Sequence, residues 1–141
     1  MNNMFKISLL VVVLGIFLTA CTGINVDKST DVAQTQGVRT IDSQELKDLI
    51  DGTPNLVLLD VRTTNEYNTG HINGAINTPV EMLPYDIEKF TYPKDTPIAF
   101  YCRSGDRSQE AYDIFKNAGF INLYNQDGGI IGWEEQGYEL I

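Results

Sequence analysis

After residue 38 the apolar positions follow two kinds of pattern. Leu56-Val57-Leu58-Leu59, behind Pro54, and Ile98-Ala99-Phe100-Tyr101 are unbroken apolar runs, as expected of strands buried on both faces. Ala75-Ile76-Asn77 and Ile121 to Tyr124 predict two further strands. Between them lie helical spacings. Asp42 with Glu45 three residues on predicts a capping box, Leu46, Leu49 and Ile50 form an apolar stripe, and Gly52 marks a stop. Ala111, Ile114, Phe115 and Ala118 keep helical spacing up to Gly119, which suits the left-handed residue that ends a helix. Strands interleaved with helices predict an α/β fold, a parallel sheet with helices on both faces.

The beginning of the chain has a different pattern. Lys6 and the amino terminus are positive, Ile7 to Leu18 is a nearly unbroken apolar run, and Leu18-Thr19-Ala20-Cys21 follows. A run this short suits the core of a signal peptide rather than a spanning helix. The last four residues resemble the bacterial lipobox, which implies cleavage before Cys21 and lipid on its thiol. The alternatives are a plain signal peptide or an uncleaved anchor. Thr22 to Gly37 is polar, lacks aromatic residues and shows no period, so it reads as a tether. A flexible segment of that length spans about 20 Å. The predicted organisation is a signal peptide over 1–20, a lipidated cysteine and tether over 21–37, and one domain over 38–141. The expected location is the cell envelope, lipid-anchored and outside the cytoplasm. Thr22 is not the aspartate that commonly retains lipoproteins in an inner membrane, so in a cell with two membranes the periplasmic side of the outer one is expected.

Composition narrows the function. The 141 residues carry a net charge of -9, the wrong sign for a nucleic-acid partner, which needs a basic surface. The chain has 2 cysteines. If Cys21 carries lipid, Cys102 is the only thiol of the mature chain, no intrachain disulfide can form, and an unpaired thiol in an exported protein asks for a chemical role.

Cys102 ends the apolar run 98–101 and opens the polar loop Arg103-Ser104-Gly105-Asp106-Arg107-Ser108, which leads into the helical pattern. A strand, a tight loop and a helix start aim backbone N–H groups and the positive end of a helix dipole at the sulfur, favouring thiolate. Gly105 allows the tight turn. Ser104 and Ser108 offer hydroxyl donors to a bound sulfur, or ordinary turn and capping chemistry. Arg107 is a candidate to bind an incoming oxyanion, whereas Arg103 either joins it or faces solvent. A thiol beyond the carboxyl end of a strand also stands where ligands bind in parallel sheets.

The segment Tyr101 to Ser108 resembles the active-site loop of rhodanese-domain sulfurtransferases. Leu59-Asp60-Val61-Arg62, Glu66-Tyr67, Gly70-His71-Ile72, Gly74 to Asn77 and Pro79 resemble the family's amino-terminal signature, while Ala118-Gly119-Phe120, Gly128-Gly129 and Trp133 resemble its carboxyl-terminal one. The resemblance covers nearly all of 38–141. It implies a small open parallel sheet in which Cys102 takes the outer sulfur of thiosulfate or a similar donor as a persulfide. A thiol or cyanide would then remove it, with no metal or organic cofactor. Phosphatases and arsenate reductases of similar plan place five residues between cysteine and arginine. Here four separate Cys102 from Arg107, a shorter cradle that suits a single sulfur atom. Asp106 stands where many close members carry asparagine or another uncharged or basic residue. A carboxylate there would oppose thiolate and persulfide, unless it points outward.

Asp60, Arg62 and Glu66 are expected to form an ion-pair or hydrogen-bond network that supports the loops. His71 is expected to be structural, because a thiolate already favoured by the loop needs no general base. Trp133, Ile130 and Tyr138 are core candidates, and Gly128-Gly129 a point of close backbone packing. Two further readings remain beside the enzyme: a carrier that holds sulfur as a persulfide for a specific protein acceptor, and an oxyanion-processing enzyme.

Overall fold

The computed structural model describes residues 39–141. The expected signal peptide and tether, with Cys21, lie outside them. Five strands form one all-parallel sheet: β1 (Arg39–Ile41), β2 (Val57–Asp60), β3 (Ile76–Asn77), β4 (Ile98–Tyr101) and β5 (Leu123–Gln126), in the order β1-β5-β4-β2-β3. The α/β class and the open parallel sheet expected from the sequence are both present. β4 is central, and every residue of it is buried, which is why its sequence shows no alternation.

Period-two geometry still divides that strand between the faces. Ile98 and Phe100 pack with Leu59, Leu83, Ala111, Tyr112, Phe115 and Phe120 on one face. Ala99 and Tyr101 pack with Ile41, Leu46, Leu58, Ile72, Ile130 and Trp133 on the other. The first face is covered by α3 (Leu83–Asp86) and α4 (Asp106–Asn117), the second by α1 (Ser43–Gly52) and α5 (Gly129–Glu135). The remaining helix, α2 (Thr64–Thr69), lies between β2 and β3 in sequence.

The predicted helix boundaries are met by the expected chemistry. Asp42 accepts from the Glu45 N–H at 2.8 Å while Glu45 accepts from the Asp42 N–H at 3.1 Å, completing the capping box of α1. At the end of α4, Gly119 (φ 90°) turns the chain so that its N–H reaches the Lys116 carbonyl and the Phe120 N–H reaches that of Phe115. That is a Schellman termination. The last strand is shifted from the expected 121–124 to Leu123–Gln126. Its polar end residues are buried with their amide nitrogens partnered, Asn125 donating to Gln109 and Gln126 to the Ser43 hydroxyl and the Gly129 carbonyl, while the Asn125 Oδ1 and Gln126 Oε1 oxygens have no partner among the described residues. β1, α2, α3 and α5 have no counterpart among the expected elements. Among the described residues no helix is long and apolar enough to cross a membrane.

Candidate functional site

β4 delivers Cys102 beyond the carboxyl edge of the sheet, where it retains 1% of its surface exposed. Residues 103–105 then reverse the chain, with Gly105 at φ 113° as the residue before α4. This left-handed conformation is one that glycine adopts without penalty. It brings the Gly105 N–H to 3.1 Å from the Cys102 sulfur. Burial alone would push the thiol pKa up. The N–H groups of Ser108, Gly105 and Ser104, with the Ser108 hydroxyl, outweigh burial and lower it. The loop therefore stabilises an anionic sulfur. Ser108 is fully buried, and its hydroxyl also reaches the Gly105 carbonyl at 2.8 Å. Its single proton can serve only one acceptor at a time.

The loop is pinned from outside by the start of α5. The Ile130 N–H donates to the Cys102 carbonyl at 2.8 Å and the Ile131 N–H to the Arg103 carbonyl at 3.3 Å. With its carbonyls held on α5, the loop presents amides to the sulfur. Gly129 makes the approach possible, since a Cβ there would stand 2.3 Å from the Arg103 carbonyl carbon. The close backbone packing expected of Gly128-Gly129 is realised at the second glycine.

Arg107, expected in the loop, is the second residue of α4, and it is not a free cation. Its two terminal nitrogens each meet a Glu66 oxygen at 2.7 Å. Glu66 also accepts from the Thr63 N–H and hydroxyl, capping α2. Held chiefly by Arg107, the Glu66 carboxyl has its pKa drawn down to about 2, and that of Arg107 is raised in turn. The oxyanion-binding role expected of Arg107 is thus occupied by the protein's own carboxylate. Local pattern gave no sign of this pairing, because the partners are 41 residues apart. Arg103, Ser104 and Asp106 are exposed. Asp106 is the first residue of α4.

Asp60 and Arg62 form a second bidentate pair, this one buried: Nε meets both carboxylate oxygens at 2.9 and 3.0 Å, and a terminal nitrogen meets Oδ2 at 2.5 Å. Arg62 also donates to the Gly70 carbonyl, and Asn77 donates to the carbonyls of Asp60 and Arg62. The network binds the ends of β2 and β3 to the turn at Gly70. Tyr101 sits against it, accepting from the Ile72 N–H, and burial with the Asp60 charge raises its phenol pKa. His71 stacks on Tyr67 with ring centroids 3.7 Å apart and places Nδ1 3.1 Å from the Tyr67 carbonyl oxygen, contacts of a structural residue. Trp133 and Ile130 are core, while Tyr138 is half-buried. Among the described residues no three His, Cys, Asp or Glu side chains cluster as a metal site.

Comparison with known proteins agrees with this geometry. Residues 42–136 match the family model described as rhodanese-like domain. The chain is 34% identical to a sulfurtransferase of Allochromatium vinosum, over 74% of this chain and 95% of that protein. Longer relatives match over 27% to 30% of their own length. Among solved structures, a rhodanese-related protein of Thermoplasma volcanium superposes with a TM-score of 0.64 at 30% identity, covering 74% of this chain and 98% of that one. The human single-domain sulfurtransferase gives a TM-score of 0.62 at 26% identity, covering 71% and 98%. With a cysteine loop of this form on a five-stranded parallel sheet and a family match over most of its length, the chain belongs to the rhodanese-like domain family.

Proposed function

We propose that the protein is a sulfurtransferase working through Cys102. The Cys102 thiolate attacks the outer sulfur of thiosulfate or a similar small donor, and the donor's S–S bond breaks as sulfite or a comparable group leaves. The sulfur remains on Cys102 as a persulfide until a thiol or cyanide removes it. Arg103, Ser104, Gly105, Asp106, Arg107 and Ser108 form the cradle for the transferred sulfur, and Asp60 and Arg62 brace it. No metal or organic cofactor enters the cycle. The observation that carries the reading is the Gly105 N–H 3.1 Å from a buried sulfur whose pKa is lowered by the loop's own amides. Such a nest suits a thiolate and equally the terminal sulfur of a persulfide. Family membership and relatives named as sulfurtransferases support the reaction class. The four-residue spacing and the engagement of Arg107 by Glu66 disfavour oxyanion ester chemistry.

The test is intact mass after incubation with thiosulfate, followed by steady-state assay with cyanide. The expected result is one added sulfur atom per chain and turnover, both lost in Cys102→Ser. Loading that survives this substitution overturns the proposal. The 1% exposure of Cys102 also suits the carrier reading, for which the same experiment gives a stable persulfide without turnover until a protein acceptor is added.

A further inference from the structure

The charges around Cys102 are arranged unlike those of a site built for a dianion. Of the arginines near the loop, Arg62 is spent on Asp60 and Arg107 on Glu66, each through two or more short bonds. Glu66 is anchored by Thr63 as well, so the clamp belongs to the fold of α2 and is not an incidental surface contact. What remains around the loop is exposed Arg103 and three exposed carboxylates: Asp106 at the start of α4, Glu81, whose charge acts on Arg107, and Asp127, whose Oδ1 would lie 3.4 Å from a Cβ on Gly105.

Thiosulfate brings two negative charges to a thiolate and expels a sulfite dianion. A thiol persulfide, R–S–SH, brings at most one charge and, when protonated, none. In that transfer a bond forms between the Cys102 sulfur and the donor's terminal sulfur, and the donor's S–S bond breaks with its electron pair going to the inner sulfur. The proton of the terminal sulfur passes to the inner sulfur, which leaves as R–SH, the negative charge passes to the new Cys102 persulfide, and no external oxidant or reductant is required. Around a sulfur this deeply buried, water screens little, so the difference of one or two charges weighs heavily.

We infer that Glu66, by holding Arg107 in a neutral pair, sets the donor preference of the site toward thiol persulfides and against the thiosulfate dianion. The inference rests on the sulfur-transfer reading and names its substrate class. Glu66 acts through Arg107 and is a positioning residue.

The experiment measures the second-order rate of Cys102 persulfide formation on the full chain by rapid quench and intact mass, with cysteine persulfide and with thiosulfate. In Glu66→Gln, which keeps an amide able to cap α2, the thiosulfate rate is expected to rise about tenfold relative to the persulfide rate. The gain is expected to vanish when Arg107→Gln is added. An unchanged ratio in folded Glu66→Gln overturns the inference. Should that variant fail to fold, the wild type decides: its thiosulfate rate rises with ionic strength as like charges are screened, and a fall overturns the inference. If neither donor loads Cys102, the sulfur-transfer reading fails and the donor preference falls with it.

Discussion

At the residue scale, the site depends as much on a glycine as on the cysteine. Gly129 has φ 58°, and a Cβ there meets the Arg103 carbonyl carbon, its oxygen and the Ser104 nitrogen at 2.3 to 2.5 Å. These are backbone atoms of the loop that holds the sulfur, so no rotamer change can relieve the collision. Gly129→Ala is expected to cost about 2–4 kcal/mol, lowering Tm by roughly 10 °C or more. It should also raise the Cys102 pKa, read as a shift of the pH profile for thiol alkylation, because the loop amides are pushed off the sulfur. Gly119→Ala is the control. Gly119 also has positive φ, at 90°, but nothing lies within 4 Å of its Cβ position, so it pays only for backbone conformation, about 1 kcal/mol. Equal losses in the two variants, with no shift in alkylation, would show that contact with the loop is unimportant.

At the scale of elements, α2 is held to α4 by one ion pair, and that pair makes stability depend on pH. Glu66 falls from an ordinary 4.5 to about 2 in the folded protein. A carboxyl depressed on folding contributes stability that is fully present above its unfolded pKa and is lost as pH drops through the folded value. The loss therefore falls between about pH 5 and 2. With the two side chains 28% and 33% exposed, solvent screening reduces the contribution to about 1–2 kcal/mol. Glu66→Gln is expected to lower stability at pH 7 by that amount and to flatten the acid limb of a chemical-denaturation series; an acid limb identical to the wild type's would be the contrary result. The same elements show what sequence pattern carries. β2 and β4 are legible because strands buried on both faces are unbroken apolar runs, and α4 because its buried Ala111 and Phe115 lie at helical spacing. α2 buries no residue completely and β1 only Ile41, so neither prints a period. β5 ends on buried Asn125 and Gln126 whose partners, Gln109, Ser43 and Gly129, come from other elements. For the same reason Cys102 and its glycine loop were readable locally, whereas the Glu66 clamp existed only once α2 and α4 met.

At the scale of the whole molecule, the arrangement of thiols governs what the protein can do with bound sulfur. The sequence holds 2 cysteines, and among the described residues Cys102 is free. If Cys21 is lipidated, as its position after Leu18-Thr19-Ala20 leads us to propose, a persulfide on Cys102 has no resolving thiol in its own chain. The sulfur must then pass to another molecule, and the lipid keeps that exchange near a membrane. A thioether-linked cysteine does not titrate, so the wild type taken from the membrane fraction and denatured under reducing conditions is expected to show one thiol per chain. Cys21→Ala is expected to leave the membrane fraction or to accumulate as a heavier precursor, with Cys102 loading unchanged in rate, since its nest is formed by β4, α4 and α5 alone. Two titratable thiols in the wild type, or fractionation and mass unaltered by Cys21→Ala, would exclude the lipid.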